Sequence, residues 1–166
     1  FKGRDSREMV VQNIMEDFTY AAENVDQSGE EGEVNQWVVK AYLARFALYE
    51  GTYRKYHPEL GLEGTADEFI RIARDVAKDI MDNGGFSLHN TGNPMADYGA
   101  LFTNTSLGGN PEVILVRAFE DQTLNSGWWE YMFGNYEVSP SRDLLQAYLM
   151  ADGADYTDQT NYETTL

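Results

Sequence analysis

Apolar residues recur at intervals of three and four along the first half of the chain, which is the spacing of one face of an α-helix. The first stripe follows Asp5 and Glu8, a pair that predicts a capping box at the start of a helix. An acidic linker with glycines, Asp26 to Glu33, separates this helix from the next. The predicted buried stripe consists of Val11, Ile14, Phe18, Ala21 and Val25.

A second predicted helix follows Asn35, a residue type that caps helix starts. It either ends at Gly51 or bends there and continues to His57, before Pro58. Trp37 is expected to pack between helices, and Tyr49 and Tyr53 are expected in or near the core. Its predicted buried stripe is Val39, Tyr42, Leu43 and Phe46, with the small residues Ala41, Ala44 and Ala47 allowing a neighbouring helix to approach closely.

The third predicted helix has the clearest start and stop signals. Thr65 and Glu68 predict a capping box, and the pair Gly84–Gly85 predicts the end. Its apolar stripe is Phe69, Ile72, Ala73, Val76, Ala77 and Ile80. Helical hairpins of this size are similar to tetratricopeptide units, although the strict repeat does not recur.

After Gly85 the composition shifts to residues that favour loops. Residues 86–110 are rich in Asn, Gly, Thr and Ser, with one short helix predicted around Tyr98 to Phe102. Val113 to Phe119 is apolar and β-branched, which predicts a short extended segment. Ser139–Pro140 predicts a further helix, with Ser as the cap, that continues through Leu144, Leu145, Tyr148 and Leu149 to Asp152–Gly153.

Charge and composition restrict the classes of partner. The formal net charge is −16, from 28 acidic and 12 basic side chains, so the chain repels nucleic acid and anionic lipid surfaces. The chain has no cysteine, which excludes disulfides, zinc–thiolate sites and thiol nucleophiles. No apolar run approaches the roughly 18 residues of a membrane span.

Three stretches, in this order, carry a resemblance to a known family. The first is the helix Val38 to Gly51. The second joins the helix Ile72 to Met81 with Gly84 to Leu88, Tyr98, Leu101–Phe102 and Asn110 to Leu115. The third is Ser139 to Gly153. Together they resemble the SusD/RagB family of outer-membrane nutrient-binding lipoproteins.

The resemblance implies a mainly α, partial SusD-like fold, built from tetratricopeptide-like hairpins with long irregular loops. It also implies a cell-surface protein that binds glycans or similar nutrients for polysaccharide utilization and delivers them to a SusC-type, TonB-dependent outer-membrane transporter. Such a protein is no enzyme, needs no cofactor, and is held on the extracellular face of the bacterial outer membrane by a lipid anchor. The anchor is expected to lie outside these residues.

We expect the chain to be an internal piece of a longer protein, because it opens on Phe1 without an initiator Met or a signal peptide. Its 166 residues are predicted to form one incomplete SusD-like domain. The predicted parts are a helical scaffold (1–85), a loop-rich segment on the ligand face (86–138), a helix (139–153) and a loop (154–166).

The predicted ligand-binding segment is a run of aromatic residues before Pro140. Aromatic rings held at a surface stack on sugar faces, and amides or carboxylates nearby bind hydroxyl groups. Adjacent tryptophans do not easily face one core together, so one of the pair is expected at the surface; the alternative is that both pack on the scaffold. The predicted ligand-binding residues are Trp128, Trp129, Tyr131, Tyr136 and Asn125.

Other chemistry finds little support in the sequence. His57 and His89 lie far apart and in no metal-binding pattern, so surface roles are expected for both, and no catalytic residue is predicted. The stretch Asp152 to Asp158 hints at calcium but departs from the EF-hand pattern, so a solvated turn is favoured and no metal site is predicted. Two alternative functions remain: a tetratricopeptide-like protein-interaction scaffold without a small-molecule ligand, and a glycoside hydrolase.

Overall fold

The computed structural model describes residues 3–30, 32–119, 124, 127, 139–149 and 152–153, without the side chain of Leu145. The backbone divides into two compact units, Phe1–Ala118 and Phe119–Leu166. The described part of the chain is mainly helical, as predicted. The expectation of a single domain with boundaries at 85, 138 and 153 stays a prediction.

Helix α1 spans Arg7–Asn24, and its N-cap is Ser6 rather than the predicted Asp5. The Ser6 hydroxyl oxygen accepts a hydrogen bond from the Met9 amide at 3.3 Å, which satisfies a free N–H of the first turn. The capping box predicted from Asp5 and Glu8 is therefore wrong by one position. The predicted stripe is confirmed: Val11 is buried, and Ile14, Phe18, Ala21 and Val25 are half-buried.

Helix α2 spans Gln36–Tyr56 and starts at the predicted cap. The Asn35 side-chain oxygen accepts hydrogen bonds from the Trp37 and Val38 amides at 3.0 and 3.1 Å. The helix continues past Gly51 to Tyr56, so the second of the two predicted ends is confirmed. Its packed side follows helical spacing through Val39, Leu43, Ala47, Glu50 and Arg54.

Two tyrosines predicted in or near the core of α2 are exposed instead. Tyr42 is 53% and Tyr49 is 57% accessible, whereas Tyr53 is half-buried as expected. The apolar intervals alone place Tyr42 and Tyr49 beside the core. On the helix, however, they lie beyond the arc that α1 and α3 cover.

Helix α3 spans Ala66–Asn83, after two 3₁₀ turns at Pro58–Leu60 and Glu63–Thr65. Thr65 does not form the predicted capping box, because its hydroxyl donates to the Leu62 carbonyl and accepts from Arg54. The end at Gly84–Gly85 is confirmed. Ala77 is exposed rather than buried, while Ala73 and Ile80 are buried and Phe69, Ile72 and Val76 are half-buried.

The α2–α3 hairpin is closely packed at Gly51. A Cβ atom at this position would lie 2.7 Å from Ile70 Cγ1 and 3.0 Å from the Ala66 carbonyl oxygen. Ala47, one turn earlier, is completely buried, as predicted for a small residue at a helix–helix contact. Glycine at 51 therefore serves close packing within a helix rather than helix termination.

A buried carboxylate joins α1, α2 and the start of α3. Glu50 is completely buried and accepts hydrogen bonds from Arg7 Nη2 at 2.6 Å and Arg54 Nε at 2.7 Å. Arg54 Nη1 also donates to Thr65 Oγ1 at 2.6 Å. Burial acts to raise the pKa of Glu50, but the hydrogen bonds and charges of Arg7 and Arg54 outweigh it, so the pKa lies below its ordinary value.

Helix α4, Pro94–Thr103, includes and extends the predicted short helix. Pro94 occupies a first-turn position, where its missing N–H costs nothing. Val113 to Phe119 forms neither helix nor strand, so the predicted extended segment is not part of a sheet.

In the second unit, helix α5 spans only Arg142–Gln146. The Ser141 hydroxyl, rather than Ser139, accepts from an amide of the first turn, that of Leu144, at 3.2 Å. The helix therefore starts later and ends earlier than predicted. Leu144 is 51% accessible, and Tyr148 and Leu149 lie exposed beyond the helix end.

Candidate functional site: a cleft beside helix α2

A cleft of about 440 Å³ lies along the side of α2 that α1 and α3 leave open. Four α2 residues form its helical wall, at the spacing i, i+3, i+4 and i+7 of one helix face. Ala41 is the small member of this set and leaves room between the larger side chains. The four residues are Val38, Ala41, Tyr42 and Arg45.

The opposite wall is the loop that follows α4. It contributes Leu107 and the run Glu112 to Leu115. The Asn110 amide donates to the Leu107 carbonyl, and the Asn110 side-chain oxygen accepts from the Glu112 amide, both at 3.0 Å. These bonds close a compact turn, which places the apolar residues after it against the cleft.

Two further hydrogen bonds tie this wall to the segment that follows α3. The Ser87 amide donates to the Pro111 carbonyl at 3.0 Å, and the His89 amide donates to Glu112 Oε2 at 2.9 Å. The Glu112 carboxylate is therefore fixed in place at the edge of the cleft. Hydrogen bonds donated by backbone amides therefore hold the loop wall of the cleft in place.

Asp97 steadies the same segment from α4. Its carboxylate accepts from the Thr91 hydroxyl at 2.5 Å and the Thr91 amide at 2.9 Å, and the His89 ring lies 3.8 Å away. The Thr91 hydroxyl bond, stronger than the opposing effect of burial, holds the pKa of Asp97 below its ordinary value. His89 is thus a half-buried structural residue rather than a surface one.

Tyr42 and Arg45 supply the polar and aromatic chemistry of the cleft. The Tyr42 ring is more than half exposed and contacts no other ring in the described part of the chain. Arg45 is exposed and forms no ion pair with any described residue. A free ring and a free guanidinium, one helical turn apart over an apolar wall, are suited to binding a polar ligand with a flat face.

The sequence did not single out these two residues as a site. The apolar spacing assigns Tyr42 to the buried stripe and gives Arg45 no role. The signal lies in the spacing of Val38, Ala41, Tyr42 and Arg45, which marks a second helix face beside the core stripe. A site on this face also needs the loop at 107–115, and the sequence alone does not show that this loop lies beside α2.

The predicted ligand-binding residues Trp128, Trp129, Tyr131, Tyr136 and Asn125 all lie outside the residues that the structure describes. Trp37 is half-buried at the start of α2, with the Lys40 ammonium 4.6 Å from the centre of its ring. His57 stacks on Tyr53 and contacts Glu59 Oε1 at 2.7 Å, a surface role as expected.

Within the described residues no group of three or more His, Asp or Glu side chains is arranged to hold a metal ion. Of the stretch considered for calcium, only Asp152 and Gly153 are described. Among the described helices, none is both long and apolar enough to span a bilayer.

Comparison with known proteins supports the family resemblance. No family model and no solved structure matches the chain. A curated protein from Bacteroides ovatus, named SusD-like protein, is 27% identical over 87% of this chain. The chain is similar to a SusD-like protein. It covers 27% of that relative's length, and the similarity agrees with the three ordered stretches that indicate the SusD/RagB family.

Proposed function

We propose that the chain is part of a non-enzymatic protein that binds glycans or similar nutrients at a bacterial surface. The observation that carries this proposal is the similarity to a SusD-like protein over 87% of the chain. The cleft beside α2 supports it, because its volume lies in the range of roughly 300–1,000 Å³ typical of small-molecule sites. Hydrolysis assays on polysaccharides test the non-enzymatic part: sustained release of products by the pure chain would contradict it.

We further propose that the aromatic segment Trp128 to Tyr136, with Asn125, contacts the ligand. Replacing Trp128 or Trp129 by alanine is expected to weaken oligosaccharide binding and leave the melting curve unchanged. Tyr148→Ala is the control, because Tyr148 is an exposed aromatic residue outside this segment. Calorimetric titration with the three variants decides the question. Normal binding by both tryptophan variants, or their unfolding, would mean that these side chains belong to a core.

Delivery of the nutrient to a SusC-type, TonB-dependent transporter is the third part of the proposal. Such delivery requires the protein to sit on the extracellular face of the outer membrane, held by a lipid on a cysteine outside these residues. Two measurements on cells that produce the whole protein test this: protease digestion of intact cells, and co-purification of a transporter. Protection from protease together with no transporter would contradict both the location and the partner.

A second function, that of a protein-interaction scaffold without a small-molecule ligand, is favoured by one feature. The outer face of α4 carries Met95, Tyr98 and Phe102, whose accessible fractions are 91%, 72% and 72%. Exposed apolar faces of this kind are typical of protein contacts. An upstream signal peptide with a cleavage-site cysteine supports surface binding. If the whole protein has no such signal peptide and binds no oligosaccharide in a saturable way, the protein-interaction function is supported instead.

A further inference from the structure

Arg45, the cation in the cleft, lacks the carboxylate partner that several other cations of the helical scaffold have. Arg7 and Arg54 both bond Glu50, and Lys40 Nζ lies 2.7 Å from Asp79 Oδ2. Arg45 stands on the same helix as Arg54 and Lys40, yet no described carboxylate pairs with it. In a chain with 28 acidic side chains, a guanidinium that faces a cleft without a carboxylate partner is available to an anion from solution.

The neighbouring groups narrow the class of anion. Tyr42 lies three residues before Arg45, so the two side chains emerge on one face about 5–6 Å apart at Cβ. The C–H face of a sugar ring stacks on an exposed aromatic ring, and a guanidinium binds a carboxylate through two parallel hydrogen bonds. Glu112, fixed across the cleft by the His89 amide, can accept hydrogen bonds from hydroxyl groups.

We propose that this cleft binds a uronate, an acidic sugar residue, with its ring on Tyr42 and its carboxylate on Arg45. The proposal rests on the proposed glycan-binding function and adds the class of sugar. It also places a glycan contact on the helical scaffold, separate from the aromatic segment Trp128 to Tyr136. The pairing of the sugar carboxylate with Arg45 is the deciding argument, because Arg45 is the one basic residue among the described residues that line the cleft.

The test is calorimetric titration of the whole chain with tetragalacturonate and with its fully methyl-esterified form. Esterification removes the charges and keeps the rings and hydroxyl groups. We expect the acid form to bind about tenfold to a hundredfold more tightly, the effect of a hydrogen bond to a charged group. Raising the salt concentration is expected to weaken binding of the acid form more than that of the ester.

Matched variants locate the binding site on the chain. Arg45→Met is expected to remove the preference for the acid form, and Arg45→Lys to retain part of it. Lys55→Met is the control, because Lys55 is another exposed α2 cation without a described ion-pair partner, outside the cleft. Tyr42→Ala is expected to weaken both forms. Tyr56→Ala removes an exposed α2 tyrosine outside the cleft and is expected to leave binding unchanged. Melting curves check that each variant is folded.

The outcomes separate this inference from the proposed function. Equal binding of acid and ester, or equal effects of Arg45→Met and Lys55→Met, would overturn the uronate site. If the uronate site is overturned but neutral oligosaccharides bind the chain, the proposed glycan-binding function still stands. Tight binding of tetraglutamate would show a general carboxylate site and overturn the assignment to a sugar. No binding of any oligosaccharide would overturn both proposals.

Discussion

Glu50 is the position where a single substitution is expected to loosen the helical scaffold most. Its carboxylate is completely buried and bridges Arg7 of α1 and Arg54 of α2, and Arg54 in turn bonds Thr65 before α3. Glu50→Gln keeps nearly the same volume, so it creates no cavity. It removes the negative charge and leaves two guanidinium groups facing a neutral amide.

The expected cost follows from what each arginine can do afterwards. The Arg7 side chain is 36% accessible, so it can turn to water, and its loss of the pair costs no more than about 1 kcal/mol. The Arg54 side chain is 5% accessible and stays buried with an uncompensated charge. Removing one partner from a buried ion pair costs about 3–5 kcal/mol, so we expect Glu50→Gln to lower the free energy of unfolding by about 3 kcal/mol.

Urea unfolding followed by far-ultraviolet circular dichroism measures this difference. Glu59→Gln is the control, because Glu59 pairs with His57 at an exposed position and its loss is expected to have little effect. The triple change Glu50→Leu, Arg7→Met and Arg54→Met removes all three charges together and is expected to recover most of the lost stability. A loss below about 1 kcal/mol for Glu50→Gln, the range of an exposed pair, would contradict an uncompensated charge on a buried Arg54.

Three further predictions concern the same scaffold. Gly51→Ala would place a Cβ 2.7 Å from Ile70 Cγ1 on α3 and is expected to lower the free energy of unfolding in urea by about 1–3 kcal/mol. Gly64→Ala is the control, because the space around Gly64 is open, and equal effects of the two substitutions would contradict the close helix contact. Asn35→Ala removes the acceptor for the Trp37 and Val38 amides and is expected to lower the unfolding free energy by about 1 kcal/mol. Asn35→Asp keeps a side-chain oxygen at the N-cap and is expected to retain the stability. An equal loss of unfolding free energy in both variants would contradict capping by this side chain. The pKa of Glu50 is lowered by folding, so its contribution to stability is present above the unfolded pKa of about 4.3 and is lost as pH falls through the folded pKa. The unfolding free energy is therefore expected to fall more steeply below about pH 4 in the parent chain than in Glu50→Gln, and parallel pH profiles would contradict this.

Local signals in the sequence were sufficient for most of the helical scaffold. Asn35 caps α2 because its side chain reaches amides two and three residues ahead, which is a purely local interaction. Gly84–Gly85 ends α3 for an equally local reason. The capping box predicted from Asp5 was wrong because the hydroxyl of the neighbouring Ser6 caps α1. Thr65 stands at the predicted N-cap position of α3, but its hydroxyl bonds Leu62 and Arg54 instead of forming the box.

The site was less accessible to sequence reasoning because it depends on contacts between distant segments. Whether Tyr42 is buried or exposed depends on how far α1 and α3 extend around α2, and periodicity alone does not determine this. The cleft further requires the turn at Leu107 to Glu112, which hydrogen bonds to Ser87 and His89 hold in place. Glu50 and Arg54 were not predicted at the centre of the core, since charged residues enter a core only when their partners are arranged around them.

We propose that this chain captures a glycan without cleaving it. One experiment tests both parts of this proposal: titration of the whole chain with a panel of acidic and neutral oligosaccharides, followed by an assay of the same samples for new reducing ends. We expect saturable binding of at least one oligosaccharide and no new reducing ends. Absence of binding across the panel, or steady release of reducing ends, would contradict it.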